Sequence, residues 1–179
     1  VLIDNNTLFL ISELSQKSIY GYSAIRYWTK LGWYEKNKHV IDDNMVNGLR
    51  DHYGIDYSLP DPSIRDKENN RHLIRTYIGN FGFVNRNAFI EIGMWDSSYT
   101  GYGVEDDAAA FALFSAYGRP TLLTEIEVVH ITHRISKANL NELSLNRQKF
   151  DYYLKSKGIK EFHVGRLLYC EPNVIEYVE

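Results

Sequence analysis

Three adjacent carboxylates, Glu105-Asp106-Asp107, follow the run Gly101-Tyr102-Gly103-Val104 and precede an alanine-rich segment that closes at Gly118. Neighbouring anions repel one another and can raise one another's pKa. The positive end of a helix dipole offsets part of that repulsion. The spacing of Phe111, Phe114 and Tyr117 predicts such a helix over Ala108 to Tyr117, with Gly118 as its stop. The chain is thereby committed to a glycine-loop-to-helix junction, where backbone can approach a ligand closely and an aromatic ring can swing over it. An ordinary acidic first turn accounts for the triplet taken alone.

The rest of the chain mixes the two periodicities. Val1 to Ile3 reads as a buried strand, and as the continuation of a sheet begun earlier in a longer chain. Thr7 to Gln16 reads as helical or irregular, and Ser18 to Trp28, rich in β-branched and aromatic residues, as a second strand. Lys30 to Asn47 is polar and mixed, with a helix around Met45 to Tyr53. Asp56 to Asn70 carries Pro60, Pro62 and many charges and reads as a surface loop. Thr76 to Val84 is a glycine-interrupted strand or turn, Asn85 to Ile92 a short helix closed by Gly93, and Trp95 to Val104 a loop. Leu122 to Ile131 is β-rich, and Asn141 to Lys157 has helical spacing. Strands and helices in this mixture predict an α/β or α+β chain, with residues 1–179 belonging to one domain.

Composition narrows the function classes. A hydrophobic fraction of 44% and a charged fraction of 24% are ordinary for a globular protein. Twenty Lys and Arg against 23 Asp and Glu, with no basic stripe, argue against nucleic acid as a partner. No apolar run reaches the length of a membrane span. Cys170 stands alone, which excludes an internal disulfide or a cysteine metal cluster and fits a reducing, cytoplasmic setting.

Two further clusters carry possible chemistry. His130 and His133 can share a metal if the strand bends after about His130, because a straight strand would point them to opposite faces. Asp4 and Asn6 stand at the end of the Val1 to Ile3 strand, where open α/β sheets bind ligands, and could hold a hard divalent ion. A simple turn explains Asp4-Asn5-Asn6 equally well. Val40-Ile41-Asp42-Asp43-Asn44 is a second acidic turn after an apolar pair.

Taken together, Gly79 to Arg134 resembles the C-terminal catalytic segment of GT-A glycosyltransferases, in particular bacterial family 2 enzymes, β-1,4-galactosyltransferases and polypeptide GalNAc-transferases. The matching pieces are Arg86 to Phe89, Ile92-Gly93, Trp95-Asp96, Tyr102 to Asp107, and His133, over about a third of the chain. The resemblance implies a GT-A-like mixed sheet flanked by helices, without the N-terminal nucleotide-binding strands. It implies transfer of a sugar from a nucleotide sugar (a UDP-sugar by analogy) to a glycan or other hydroxyl acceptor.

Asp106 maps onto the catalytic base of the inverting members. Glu105 maps onto the acceptor-binding Glu, with Gly82, Tyr102, Gly103 and Asp107 joining it around the substrate. Asp4, Asn6, His130 and His133 map onto positions that hold Mn²⁺ or Mg²⁺. Two departures stand out: Tyr102 replaces the usual loop Trp, and Asn6 replaces the second Asp of the metal-binding D-x-D motif. They keep in view a non-catalytic carbohydrate-binding module on a decayed transferase fold; a third reading, a metal phosphoesterase using His130, His133 and Asp106, lacks the richer carboxylate and histidine set that two metals need. The polypeptide GalNAc-transferase likeness also leaves a retaining mechanism open.

Overall fold

A computed structural model of the chain describes residues 1–53, 81–118, 120–162 and 175–177. In chain order the elements are α1 (Thr7–Ser15), β1 (Tyr20–Trp28), α2 (Trp33–Asn37), α3 (Asp43–Tyr53), β2 (Gly82–Val84), α4 (Arg86–Glu91), α5 (Glu105–Tyr117), β3 (Thr121–His130), α6 (Lys137–Ser156), β4 (Ile159–Phe162) and β5 (Ile175–Tyr177). The chain is mixed α/β.

The main sheet has the order β2-β1-β3, with β1 antiparallel to β2 and parallel to β3. β1 is the aromatic and β-branched stretch expected as a strand, and its central place follows from burial of Tyr20 and Tyr22. β3 is held to β1 from Gly21 opposite Thr121 to Trp28 opposite His130, with an irregularity between Ser23 and Ile25. The Ser23 hydroxyl donates to the Ile126 carbonyl at 2.6 Å close to that irregularity. The first residues join the far side of β3 through a single antiparallel bridge, Leu2 to Val129. Val1 to Ile3 is therefore an edge contact with Val1 exposed, and not the buried strand expected.

Alternation along β3 distributes the covering helices. Val128 packs with Leu10, Ile11 and Leu14 of α1, whereas Val129 packs with Val46 and Leu49 of α3. The sheet is covered on both faces at this end. At the other end Tyr20 packs against Ala110 and Leu113 of α5, and its hydroxyl donates to the Gly118 carbonyl. That bond fastens the end of α5 to the start of β1.

Helix boundaries follow their caps. Asn85 accepts from the Asn87 and Ala88 amides at 2.9 and 3.3 Å and starts α4. Ser136 accepts from the Asn139 amide at 3.1 Å, so α6 begins four residues before the expected Asn141. α5 likewise starts at Glu105, taking the acid triplet into its first turn. The short pair β4 and β5, antiparallel, was not foreseen. The loop expected at Asp56 to Asn70 lies outside the described residues, as do residues 76–80 of the expected Thr76 to Val84 strand.

A second core lies between α5, α6 and β4: Val104, Phe111, Phe150, Leu154 and Ile159. Phe150 is fully buried and meets the rings of Tyr99, Phe111 and Tyr153 at centroid distances of 6.4, 6.2 and 6.5 Å. It joins α6, α5 and the loop before α5 in one contact. Phe150→Ala should lower stability by about 3–5 kcal/mol in urea unfolding, the range for a large aromatic removed from a core. A loss below about 1 kcal/mol would contradict this packing.

Candidate functional site

The loop from Asp96 to Val104 turns the chain into α5. The Asp96 carboxylate accepts from the Ser98 amide at 2.9 Å and its carbonyl from the Tyr99 amide at 3.1 Å, closing a tight turn. Beyond it, Gly101, Gly103 and Val104 are all left-handed, at φ 80°, 84° and 79°. Glycine adopts this conformation freely, but a β-branched residue does so at a cost of about 1–2 kcal/mol. Val104 is held there because its side chain is 1% exposed in the α5–α6 core.

α6 lies across this loop. The Asn146 side-chain amide donates to the carbonyls of Thr100, Tyr102 and Gly103 at 3.1, 3.3 and 2.9 Å. Lys149 bonds the Ser98 carbonyl and sits 4.8 Å from the Tyr99 ring centre. Glu142 and Leu143 occupy the space that a side chain on Gly101 or Gly103 would need, with approaches of 2.5 and 2.6 Å to a Cβ.

The acid triplet is sorted by this packing. Asp107 turns inward and pairs with Arg147 at 3.0 Å. Glu105 and Asp106 are half-buried at the helix start, and an Asp106 oxygen accepts from the Asp107 amide at 2.9 Å. Burial, then the Asp106 charge, push the Asp107 carboxyl up to about 7; Arg147 pulls the other way without cancelling them. Burial also pushes the Tyr99 phenol up to about 12, reinforced by the charge of Asp96. The strongly perturbed acid is thus Asp107, whereas the resemblance pointed to Asp106 as the base. Tyr102 and Gly103 lie in the loop that leads into the triplet. Gly82 lies in β2 opposite Tyr22.

The histidine segment bends as its metal reading requires. β3 ends at His130, and Thr132 is tied to Thr29 by its amide at 3.0 Å and by its hydroxyl. The two imidazoles come to 5.7 Å between ring centres. His133, with Arg134, Tyr34 and Glu35, borders a pocket of about 410 Å³.

Asp4 serves a different arrangement. Its carboxylate accepts from the Asn6 amide and the Thr7 hydroxyl at 3.0 and 2.9 Å, which starts α1. It also faces Arg50 at 3.4 Å, and Arg50 reaches Glu127 at 3.5 Å. The antiparallel Leu2–Val129 bridge carries Asp4 towards Glu127 and away from His130. Asn5, not Asn6, makes the long-range bond, to Asp43 at 2.6 Å; this brings the two acidic turns of the sequence side by side. Among the described residues no group of three or more His, Cys, Asp or Glu side chains is gathered to hold a metal ion.

Asn146 and Arg147 were missed by sequence reasoning. The signal was present: Leu143, Phe150 and Leu154 mark an inward helical stripe, and Asn146 is a polar residue standing on it. Comparison with protein-family models, characterised proteins and solved structures gives no match to this chain. No helix among the described residues is long and apolar enough to cross a membrane.

The raised pKa of Asp107 has a definite sign in stability. Its native carboxyl binds a proton more tightly than the unfolded one, whose reference value is 3.8. Between about pH 4 and pH 7 the native state therefore holds more protons, and this group's contribution falls as pH rises. Relative to Asp107→Asn, the wild type should be less stable in urea at about pH 8 than at about pH 4.5. An equal stability difference at both values would contradict the burial of an ionisable Asp107.

Proposed function

We propose that the chain is the acceptor-side catalytic part of a GT-A-type glycosyltransferase, moving a sugar from a nucleotide sugar to an acceptor hydroxyl. The observation that carries this reading is the sorting of the acid triplet. Arg147 takes Asp107, while Glu105 and Asp106 stay half-exposed at a helix start beside a left-handed glycine loop. Both stand in the first turn of α5, at the positive end of its dipole. An ionised carboxylate there can take the proton of an incoming hydroxyl, and its neighbour can hold a second hydroxyl of the same acceptor.

Asp106 is the base in this reading. Glu105 contacts the acceptor, and Tyr102, a half-buried ring in the loop, supplies an apolar face for a sugar. The hydroxyl oxygen, relieved of its proton, forms the bond to the anomeric carbon as the bond to the nucleotide diphosphate breaks. In-line attack inverts that carbon. A UDP-sugar is the donor class that the resemblance implies, and a glycan or other polyol is the acceptor class.

Mn²⁺ or Mg²⁺ is the ion implied, and it would offset negative charge on the leaving diphosphate. His130 and His133 supply two donors within reach of each other. Asp4 is engaged with α1 and Arg50, so the described residues do not complete a hard-ion site. The engagement of Asp4 favours a second reading, a carbohydrate-binding module on a decayed transferase fold.

Asp106→Asn should lower transfer by about 10²–10⁴-fold, with folding and nucleotide binding retained. The check is product formation from radiolabelled nucleotide sugars over a panel of glycan acceptors, beside calorimetric nucleotide titration. Unchanged turnover in the variant would remove Asp106 as base. Sugar binding by a wild type that never forms product supports the binding module instead.

A further inference from the structure

The Asn146 side chain is buried, and its amide group meets three carbonyls of one short loop, those of Thr100, Tyr102 and Gly103. A peptide unit is planar and trans, so a carbonyl turned towards α6 turns the following N–H away from it. The amides of Gly101, Gly103 and Val104 are therefore directed to the side opposite α6. Without a donor at Asn146, three carbonyls would face the part-buried surface of α6 with no donor there, and the loop would gain by rotating these units. Gly101 and Gly103 permit that rotation, because glycine crosses between positive and negative φ with little hindrance.

We propose that Asn146 is the positioning residue of the acceptor loop: it locks the 100–101, 102–103 and 103–104 peptide planes so that the Gly101, Gly103 and Val104 N–H groups, with Glu105 and Asp106, face a polyhydroxylated acceptor. This rests on the transferase reading for the identity of the ligand. Carboxylates accept from hydroxyl groups and backbone amides donate to them, so an edge carrying both reads a sugar ring bearing several hydroxyls. Arg147, one residue on, completes the lock by holding Asp107 against α6 and out of that edge. Asn146 acts through the loop and touches no reacting atom.

The test separates the lock from the reaction. Asn146→Asp is nearly isosteric but its carboxylate donates nothing to the three carbonyls; Asn146→Ala removes the group altogether. Conformational exchange of the loop amides at residues 100–104, read by NMR relaxation dispersion and needing neither activity nor a protected amide, should be at least about tenfold larger in both variants than in the wild type, with α5 and β3 unaffected. In transfer assays the acceptor KM should rise by about tenfold or more, while the donor KM changes by less than about twofold.

Unaltered loop exchange in both variants overturns the lock, whatever the protein's activity. Larger loop exchange with an unchanged acceptor KM overturns its role in holding the acceptor. If the wild type transfers no sugar at all, the transferase reading fails and the acceptor role fails with it, while exchange still decides the lock. Arg147→Lys keeps the charge and loses the planar fork, and should show the same exchange effect in weaker form at residues 103–104. Loop exchange as in the wild type would remove Arg147 from the lock.

Discussion

One buried amide on α6 determines how the chain enters α5. Gly101, Gly103 and Val104 take left-handed conformations, the loop carbonyls of Thr100, Tyr102 and Gly103 turn towards α6, and carbonyls covered by a helix need a donor. Asn146 supplies it, and the apolar contacts around it, Leu143 on the loop and Phe150 among three rings, hold α6 close enough for the bonds to form. The unfavourable backbone at Val104 persists because its side chain is fixed in the same core. Loop, helix start and acid triplet are consequences of one packed junction.

That junction gives three like residues unlike environments. Asp107 is drawn into the interior, where burial raises its proton affinity even against Arg147. Desolvation wins because Arg147 is itself partly exposed and its charge is shared with water. Glu105 and Asp106 keep solvent access at the positive end of α5. A half-exposed carboxylate and another kept inside as a structural anchor thus differ only in which way a helical turn points them.

Much of this was legible in the sequence where local rules decide. β1, β3, α5 and α6 follow from residue type and periodicity, and the bend between His130 and His133 follows from asking how two histidines on a strand could meet. What escaped depends on partners distant in the chain. Asp4-Asn5-Asn6 reads equally as a metal motif or a turn; the Asn6 amide, the Thr7 hydroxyl and Arg50, 46 residues away, are the described partners of the Asp4 carboxylate. Asn146 looked like one more polar residue in a polar helix, because its meaning comes from carbonyls over 40 positions earlier. Val1 to Ile3 had the composition of a buried strand, but a single bridge at the sheet edge is all that pairing with β3 supplies.

Chemistry at the start of α5 is read most directly from the fate of the acceptor. The protein would be incubated with a UDP-sugar, a glycan acceptor and Mn²⁺, the acceptor mass followed, and the new linkage assigned by NMR. The account predicts a mass increase of one sugar, joined through a glycosidic bond of configuration opposite to the donor's. Retention of configuration would contradict Asp106 as a base in direct displacement. An acceptor that binds across a panel of donors and is never extended would contradict the transferase reading itself.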